Sequence, residues 1–241
     1  MHGKKWTGTV YNYYNGNIAF VIKEGKGNIK EYGFYGNLEF EGEYLNGERN
    51  GKGKEYDLKT NKLIFEGEYL NGERNGKGKE YYDNGNLKFE GEYLNGRRNG
   101  KGKEYYYNGE LFFEGEYLNG VRNNNGKGKE YNINGELLFE GKYLHGKRWK
   151  GKGKEYNNKE LQFEGEYLNG KRWKGKGKEY KTEFFTPTPI LTFEGEYFNG
   201  KRWNGKVKEY KTKLYDIICT FEGEYLNGEK IEKRENGNHN S

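Results

Sequence analysis

One phrase, FEGEYLNGERNGKGKEY at residues 65–81, recurs along most of this chain of 241 residues. Copies of its first five residues follow one another at spacings of 25, 24, 24, 26, 24, 30 and 28 residues. They begin at Phe40, Phe65, Phe89, Phe113, Phe139, Phe163, Phe193 and Phe221. A period of this length predicts a repeat array, in which each unit packs against its neighbours, and not a conventional two-layer domain.

Two turn signals alternate within each repeat. One is an Asn-Gly pair two residues after the tyrosine of each copy, with His145 in place of the asparagine in the fifth. The other is an Asn-Gly pair halfway along the repeat, clearest at Asn84-Gly85, Asn108-Gly109 and Asn134-Gly135. Asn-Gly is the strongest short hairpin signal because a type I′ turn needs two residues with positive φ. The sequence therefore predicts antiparallel hairpins with two turns per repeat.

The halfway turns also predict which residues lie opposite one another. Folding at Asn84-Gly85 gives five pairs: Tyr82 with Leu87, Glu80 with Phe89, Lys79 with Glu90, Gly78 with Gly91 and Lys77 with Glu92. Folding at Asn108-Gly109 returns the same residue types, beginning with Tyr106 opposite Leu111. We therefore expect a ladder of Lys and Glu on one face and a row of glycines under Phe and Tyr rings on the other.

Composition separates an ordered array from a disordered chain. Leu, Ile, Val and Phe make up only 44 of 241 residues, a level typical of disorder, but the net charge is only +6 and aromatic residues reach 17%. Forty glycines argue against helix. We predict an all-β fold, an elongated single-layer antiparallel β-meander of tandem hairpins. About twenty strands at about 4.8 Å each would form a rod of about 95 Å.

The segment FEGEYLNGKRWKGKGKEY at residues 163–180 resembles a MORN repeat. The residues at the motif positions are Phe163, Gly165, Tyr167, Gly170, Gly175 and Gly177. Residues 79–93 resemble the MORN variant common in bacteria, some of whose members are labelled antitoxins. The resemblance covers about residues 40–228 in eight copies. Residues 1–39 are then degenerate N-terminal capping hairpins, 181–191 an insertion and 229–241 a polar C-terminal tail.

The resemblance implies a non-catalytic scaffold or a membrane-adjacent adaptor, and the residues point the same way. The one serine is Ser241, and Cys219 and His145 lie about three repeats apart, too far for a Cys-His site. No metal-ligand spacing, membrane-spanning stretch or signal-peptide core is visible. The lone cysteine fits a reducing compartment. We expect a non-enzyme without cofactors, in the cytoplasm, with peripheral attachment to a membrane as an option.

The copies differ most in charge. Residues 39–146 carry 17 basic and 20 acidic side chains, whereas residues 147–213 carry 18 and 9. The basic region also holds three of the four tryptophans, each in the tripeptide KRW. We define these nine residues as the KRW stripe: Lys147, Arg148, Trp149, Lys171, Arg172, Trp173, Lys201, Arg202 and Trp203.

Two interpretations of the KRW stripe stay open at this point. Each tryptophan could cap a glycine-rich hairpin end, or the stripe could dock on an anionic surface. The second predicts a scaffold that binds a partner protein or an anionic membrane surface. The alternatives are an antitoxin-like protein that neutralises a partner protein, and binding of single-stranded nucleic acid, which is less favoured because residues 39–146 are net acidic. Exposed sheet edges would also allow a homo-oligomer.

Overall fold

A computed structural model describes residues 8–11, 18–23, 25–122, 126–157, 160–181, 189–213 and 216–232. The predicted capping hairpins, insertion and tail therefore lie partly outside the described residues. The chain divides into two compact units, Met1–Glu136 and Leu137–Ser241. In both units the described residues form antiparallel strands in meander order and no helix, as the repeat pattern predicted.

The first unit holds twelve described strands. They are β1 Gly8–Tyr11, β2 Ile18–Lys23, β3 Lys26–Tyr32, β4 Leu38–Leu45, β5 Glu48–Tyr56, β6 Leu63–Leu70, β7 Glu73–Tyr81, β8 Leu87–Leu94, β9 Arg97–Tyr105, β10 Leu111–Leu118, β11 Val121–Arg122 and β12 Lys127–Tyr131. Consecutive strands from β1 to β10 pair with one another, and β10 then pairs with both β11 and β12.

The second unit holds eight described strands that pair in sequence order. They are β13 Leu137–Leu144, β14 Lys147–Asn157, β15 Glu160–Leu168, β16 Lys171–Lys181, β17 Ile190–Phe198, β18 Lys201–Lys213, β19 Asp216–Leu226 and β20 Glu229–Glu232. A meander of this kind places each hairpin beside the hairpins made just before and just after it.

The Asn-Gly turns after each tyrosine have the predicted geometry. The asparagines, and His145 in the fifth copy, have φ between 49° and 54°, and each following glycine has φ between 74° and 89°. Two successive positive φ values define the type I′ turn, whose twist matches that of the flanking strands. The prediction of two-residue hairpins at these positions is confirmed.

The halfway turns are longer than the sequence predicted. Gly85 N donates to Tyr82 O, and Tyr82 N donates to Asn86 O, each at 2.9 Å, so the loop spans five residues. Only Gly85 of the Asn-Gly pair has a positive φ, and the register then shifts at a bulge beside Phe89. The predicted pair of Tyr82 with Leu87 is therefore wrong, because Tyr81 takes that place.

The predicted pair of Tyr106 with Leu111 is wrong for the same reason, since Tyr105 lies opposite Leu111. Beyond the bulge the predicted register is confirmed in both hairpins. Glu80 lies opposite Phe89, Gly78 opposite Gly91, and the corresponding residues of β9 and β10 pair in the same way. The bulge compensates for the longer loop and restores the alternation of faces.

One face of each unit carries the aromatic core. The phenylalanines that start the first seven copies are 0–1% exposed. Phe65 meets Tyr69 of its own copy and Tyr93 of the next edge-on, with ring centroids 5.8 and 5.3 Å apart. A Cβ on Gly78 would lie 2.5 Å from Cζ of Phe65, so the ring rests directly on backbone. This is the predicted glycine row under aromatic rings.

The opposite face carries the predicted Lys/Glu ladder. Lys79 lies opposite Glu66 on one side and opposite Glu90 on the other. In the second unit, ion pairs of 3.1–3.2 Å join lysines to glutamates of the next strand. The three pairs are Lys154 with Glu164, Lys178 with Glu194 and Lys208 with Glu222.

Candidate binding surface

Each tripeptide of the KRW stripe begins a strand directly after a two-residue turn. Lys147, Lys171 and Lys201 are the first residues of β14, β16 and β18. The turns hold the three tripeptides at equivalent ends of successive hairpins in the second unit, as their spacing predicted. Within each tripeptide, however, the three side chains have different surroundings.

The lysines face the ladder side of the sheet. Each lies opposite an apolar residue at the hairpin end: Lys147 with Leu144, Lys171 with Leu168 and Lys201 with Phe198. All three lysines are exposed, and none forms an ion pair within the part of the chain that the structure describes. Their charge is therefore directed to solvent.

The arginines lie on the aromatic face. Arg172 lies opposite Tyr167, and its guanidinium carbon is 4.9 Å from the centre of the Phe163 ring. Its Nη2 donates to Oε2 of Glu155 at 2.6 Å, and the hydroxyl of Tyr167 donates to the same carboxylate at 2.5 Å. Arg202, Glu179 and Tyr197 repeat this arrangement, and Arg148 lies 5.2 Å from the Phe139 ring. The arginines thus stabilise the sheet from within.

The electrostatics of this cluster follow from its hydrogen bonds. Burial raises the pKa of the Glu155 carboxyl, but the bonds from Arg172 and Tyr167 lower it further, so the pKa is below its ordinary value. The same causes lower the pKa of Glu179. Burial and the neighbouring carboxylate raise the pKa of Tyr167. The carboxylate and the phenol therefore keep their ordinary charges at neutral pH.

The tryptophans occupy a bulge. Glu166 lies opposite Lys174 and Tyr167 opposite Arg172, so Trp173 between them has no cross-strand partner. The three indoles are half-buried, and Trp203 contacts the ring of Phe198 at 5.1 Å between centroids. The Trp203 carbonyl also accepts a hydrogen bond of 2.9 Å from Gly228 N in the next turn. Trp203 therefore packs over a hairpin end while keeping part of its surface in solvent.

The first unit uses a different bulge at the same position. In β7, Asn75, Gly76 and Lys77 together lie opposite the single residue Glu68 of β6. Lys77 N donates to that carboxylate at 3.4 Å. The residue after the turn is acidic in the first two copies, Glu48 and Glu73, and is lysine in the three copies of the KRW stripe. The combination of lysine and tryptophan at this hairpin end thus belongs to the second unit.

The Arg-Glu-Tyr cluster also runs through the first unit, and sequence reasoning missed it. Arg74 pairs with Glu55 at 2.5 Å and Arg98 with Glu80 at 2.8 Å, while Tyr69 and Tyr93 donate to the same two carboxylates. The signal was present, because a two-residue turn after each tyrosine places the arginine directly opposite that tyrosine. The glutamate could not be assigned because it belongs to the preceding hairpin.

Among the residues that the structure describes, no group of three or more His, Cys, Asp or Glu side chains is arranged to hold a metal ion. Nor does any helix in that part of the chain have the length and apolar character needed to cross a membrane.

The MORN repeat family matches residues 40–57, 65–87, 89–110 and 113–135. These four tandem matches cover the first four of the eight copies read from the sequence, and within residues 40–135 they confirm the resemblance to MORN repeats. No curated protein matches it.

Solved structures give a weaker likeness. One is a crystal structure of TcdB2-TccC3-TEV, at 13% identity and a TM-score of 0.22, covering 95% of this chain and 14% of that one. Another is TcdB2-TccC3 without its hypervariable C-terminal region, at 12% identity and a TM-score of 0.22, covering 93% and 14%. This chain spans about one-seventh of the length of either. A TM-score this low carries nothing over to the present chain.

Proposed function

We propose that this MORN-repeat chain is a non-catalytic binding module whose second unit docks on an anionic membrane surface. The observation that carries the proposal is that the lysines and the arginines of the KRW stripe lie in different surroundings. Arg172 and Arg202 are held in ion pairs on the aromatic face, whereas Lys147, Lys171 and Lys201 are exposed beside half-buried tryptophans. The proposed docking surface therefore contains the lysines and tryptophans of the KRW stripe but not its arginines.

This combination of groups suits a lipid headgroup region. Tryptophan favours the membrane interface, because its ring is apolar and its N–H is polar. Each lysine near an anionic leaflet contributes about 1 kcal/mol. Three lysines then contribute about 3 kcal/mol, or about a hundredfold in affinity. Leu144, Leu168 and Phe198 lie opposite these lysines and add apolar surface at the same end.

Flotation of the full chain with vesicles tests the proposal. We expect the protein to float with vesicles that contain phosphatidylserine and to remain at the bottom with neutral vesicles. The triple substitution K147Q/K171Q/K201Q should reduce binding about a hundredfold. The matched control K52Q/K77Q/K101Q removes three exposed lysines from the first unit and should bind as the unchanged protein does. The arginines stay unchanged because they stabilise the fold.

The outcomes separate the alternatives. Equal flotation of the two triple variants would exclude the lysine end as the docking surface. A protein that does not float with anionic vesicles but retards single-stranded DNA in a gel-shift assay would be a nucleic-acid binder. A protein that does neither, and instead blocks the activity of one partner protein, would match the antitoxin-like alternative.

A further inference from the structure

Four of the five halfway turns described in the first unit share one geometry, and four of the five expose an apolar residue just after the first residue of the turn. In turns 33–36, 82–85, 106–109 and 132–135, the final glycine N donates to the carbonyl of the first residue. The residue after the first is Phe34, Asp83, Tyr107 or Ile133, and Leu58 follows Asp57 in the remaining turn. Four of these five turns thus place an apolar side chain at the equivalent position.

These side chains are unusually exposed. Phe34 and its neighbour Tyr35 are 87% and 88% exposed, Leu58 is 45% exposed, and Tyr107 and Ile133 are each 55% exposed. We call these five residues the turn row. Equivalent turns of a meander follow one another every two strands, or about 10 Å. Apolar surface that is exposed and contiguous marks sites of protein–protein interaction.

The turns of the row are fixed to one another. The side-chain amide of Asn37 donates to Leu58 O at 2.6 Å, and that of Asn84 donates to Tyr107 O at 2.9 Å. The Tyr107 hydroxyl donates to Oδ1 of Asp83 at 2.9 Å. This bond holds the Tyr107 ring near the Asp83 turn, which has no apolar residue of its own at that position. These bonds hold neighbouring turns in fixed positions, and such preorganisation lowers the entropic cost of binding.

Charge along the row changes sign about its middle. Lys59 is exposed beside Leu58, and Glu110 is exposed at the end of the Tyr107 turn. Neither side chain forms an ion pair among the residues that the structure describes. The central turn and its strand carry one charge of each sign, Asp83 and Lys88. A copy of the row turned end for end about the central turn would therefore place Lys59 opposite Glu110.

We propose that a second copy of this chain docks on the turn row in antiparallel orientation, with a two-fold axis at the Asp83 turn. A second copy carries the same turn row with the same spacing of apolar groups. The turn rows of the two copies therefore stay in register along their length. The axis brings Phe34 and Tyr35 onto Ile133 of the other copy and forms the Lys59–Glu110 pair twice. Such an interface is isologous and closed, so it yields a dimer and not a filament.

A charge-reversal series on the full chain tests this interface. Sedimentation velocity across a range of concentrations should show a reversible dimer of the unchanged protein. K59E and E110K should each raise the dissociation constant about tenfold or more, because two like-charge contacts replace two attractive ones. The double variant K59E/E110K should restore the dimer, since it rebuilds both pairs with the signs exchanged.

An apolar series gives a second, independent readout. L58S/I133S should raise the dissociation constant, whereas V121S should not, because Val121 is 52% exposed but lies at the other end of the hairpins. A monomeric unchanged protein would overturn the proposal. A dimer whose dissociation constant is the same in K59E, E110K and L58S/I133S would also overturn it, and would assign association to another surface.

Discussion

At the scale of single residues, the facing glycines of most hairpins leave room for aromatic rings, whereas Ile29 and Val207 take the place of one glycine in β3 and β18. Phe65 and Tyr93 occupy the space where a Cβ of Gly78 would be, with Cζ of Phe65 at 2.5 Å. The ring cannot retreat, because Phe65 is fully buried against its neighbouring tyrosines. A chain with few aliphatic residues can thus bury large rings by placing them on bare backbone.

We predict that G78A lowers the free energy of unfolding by about 1–3 kcal/mol, the usual cost of overpacking a rigid core. Urea denaturation followed by circular dichroism would measure it. K79A, at the adjacent exposed position on the ladder face, should change stability by less than about 0.5 kcal/mol. Similar losses in the two variants would show that the glycine row is not tightly packed.

At the scale of hairpins, the arginine of one hairpin reaches back to the glutamate of the hairpin before it. Arg98 lies 4.0 Å above the centre of the Phe89 ring, and its Nε and Nη2 bond both carboxylate oxygens of Glu80. The two side chains are only 19% and 17% exposed. Removal of the guanidinium would leave a largely desolvated carboxylate held by Tyr93 and the more distant Lys88.

R98M should therefore destabilise the chain by about 1–3 kcal/mol, less than for a fully buried ion pair because solvent reaches part of the cluster. The neighbouring arginine provides a matched control, since Arg97 is exposed and forms no ion pair in the described residues. R97M should leave the urea midpoint nearly unchanged. A larger loss in R97M than in R98M would contradict this account of the cluster.

The hairpins also show which features can be predicted from sequence. Asn-Gly at a two-residue turn determines both geometry and register, so the turns after each tyrosine and the pairing of Gly78 with Gly91 follow directly. At Asn84-Gly85 the same dipeptide lies in a longer loop, because hydrogen bonds of Tyr82 close five residues instead of four. The longer loop occurs together with the bulge beside Phe89, and no residue pattern near the turn predicts that bulge.

The candidate binding surface was predictable only in part, for a related reason. The two-residue turns place all nine residues of the KRW stripe at hairpin ends, as their spacing implies. The turn also sets the faces of Lys171 and Arg172, because they pair across it with Leu168 and Tyr167 before the bulge at Trp173 begins. The partner of Arg172 could not be predicted in this way, because Glu155 lies 17 positions earlier in the chain, in another hairpin. The residue pattern within one hairpin therefore does not predict the contacts between hairpins.

At the scale of the whole molecule, the repetition of one cluster makes its pH dependence additive. The pKa values of Glu55, Glu80, Glu155 and Glu179 are all lowered. In each, burial raises the pKa but hydrogen bonds from an arginine and a tyrosine lower it more. A lowered pKa means that the unfolded chain binds the proton more tightly than the folded chain does.

We therefore expect the chain to be most stable above about pH 4.3, the ordinary value for glutamate, and to lose stability as the pH falls through the lower folded-state values. Urea midpoints at pH 7, 5, 4 and 3 would measure the loss. Because the same cluster recurs in both units, the decline should be steep. An equal midpoint at pH 3 and pH 7 would contradict the ionised state of these glutamates.

The backward reach of each arginine has a consequence for how the chain is made. Arg74, Arg98, Arg172 and Arg202 bond glutamates that precede them by 19, 18, 17 and 23 residues. When a ribosome releases one of these arginines, the strand that it needs has already emerged. Each hairpin can thus complete its contacts on the growing end without waiting for distant sequence, and the low contact order favours rapid folding. The nascent chain would lay down its sheet from the N-terminus, one hairpin at a time.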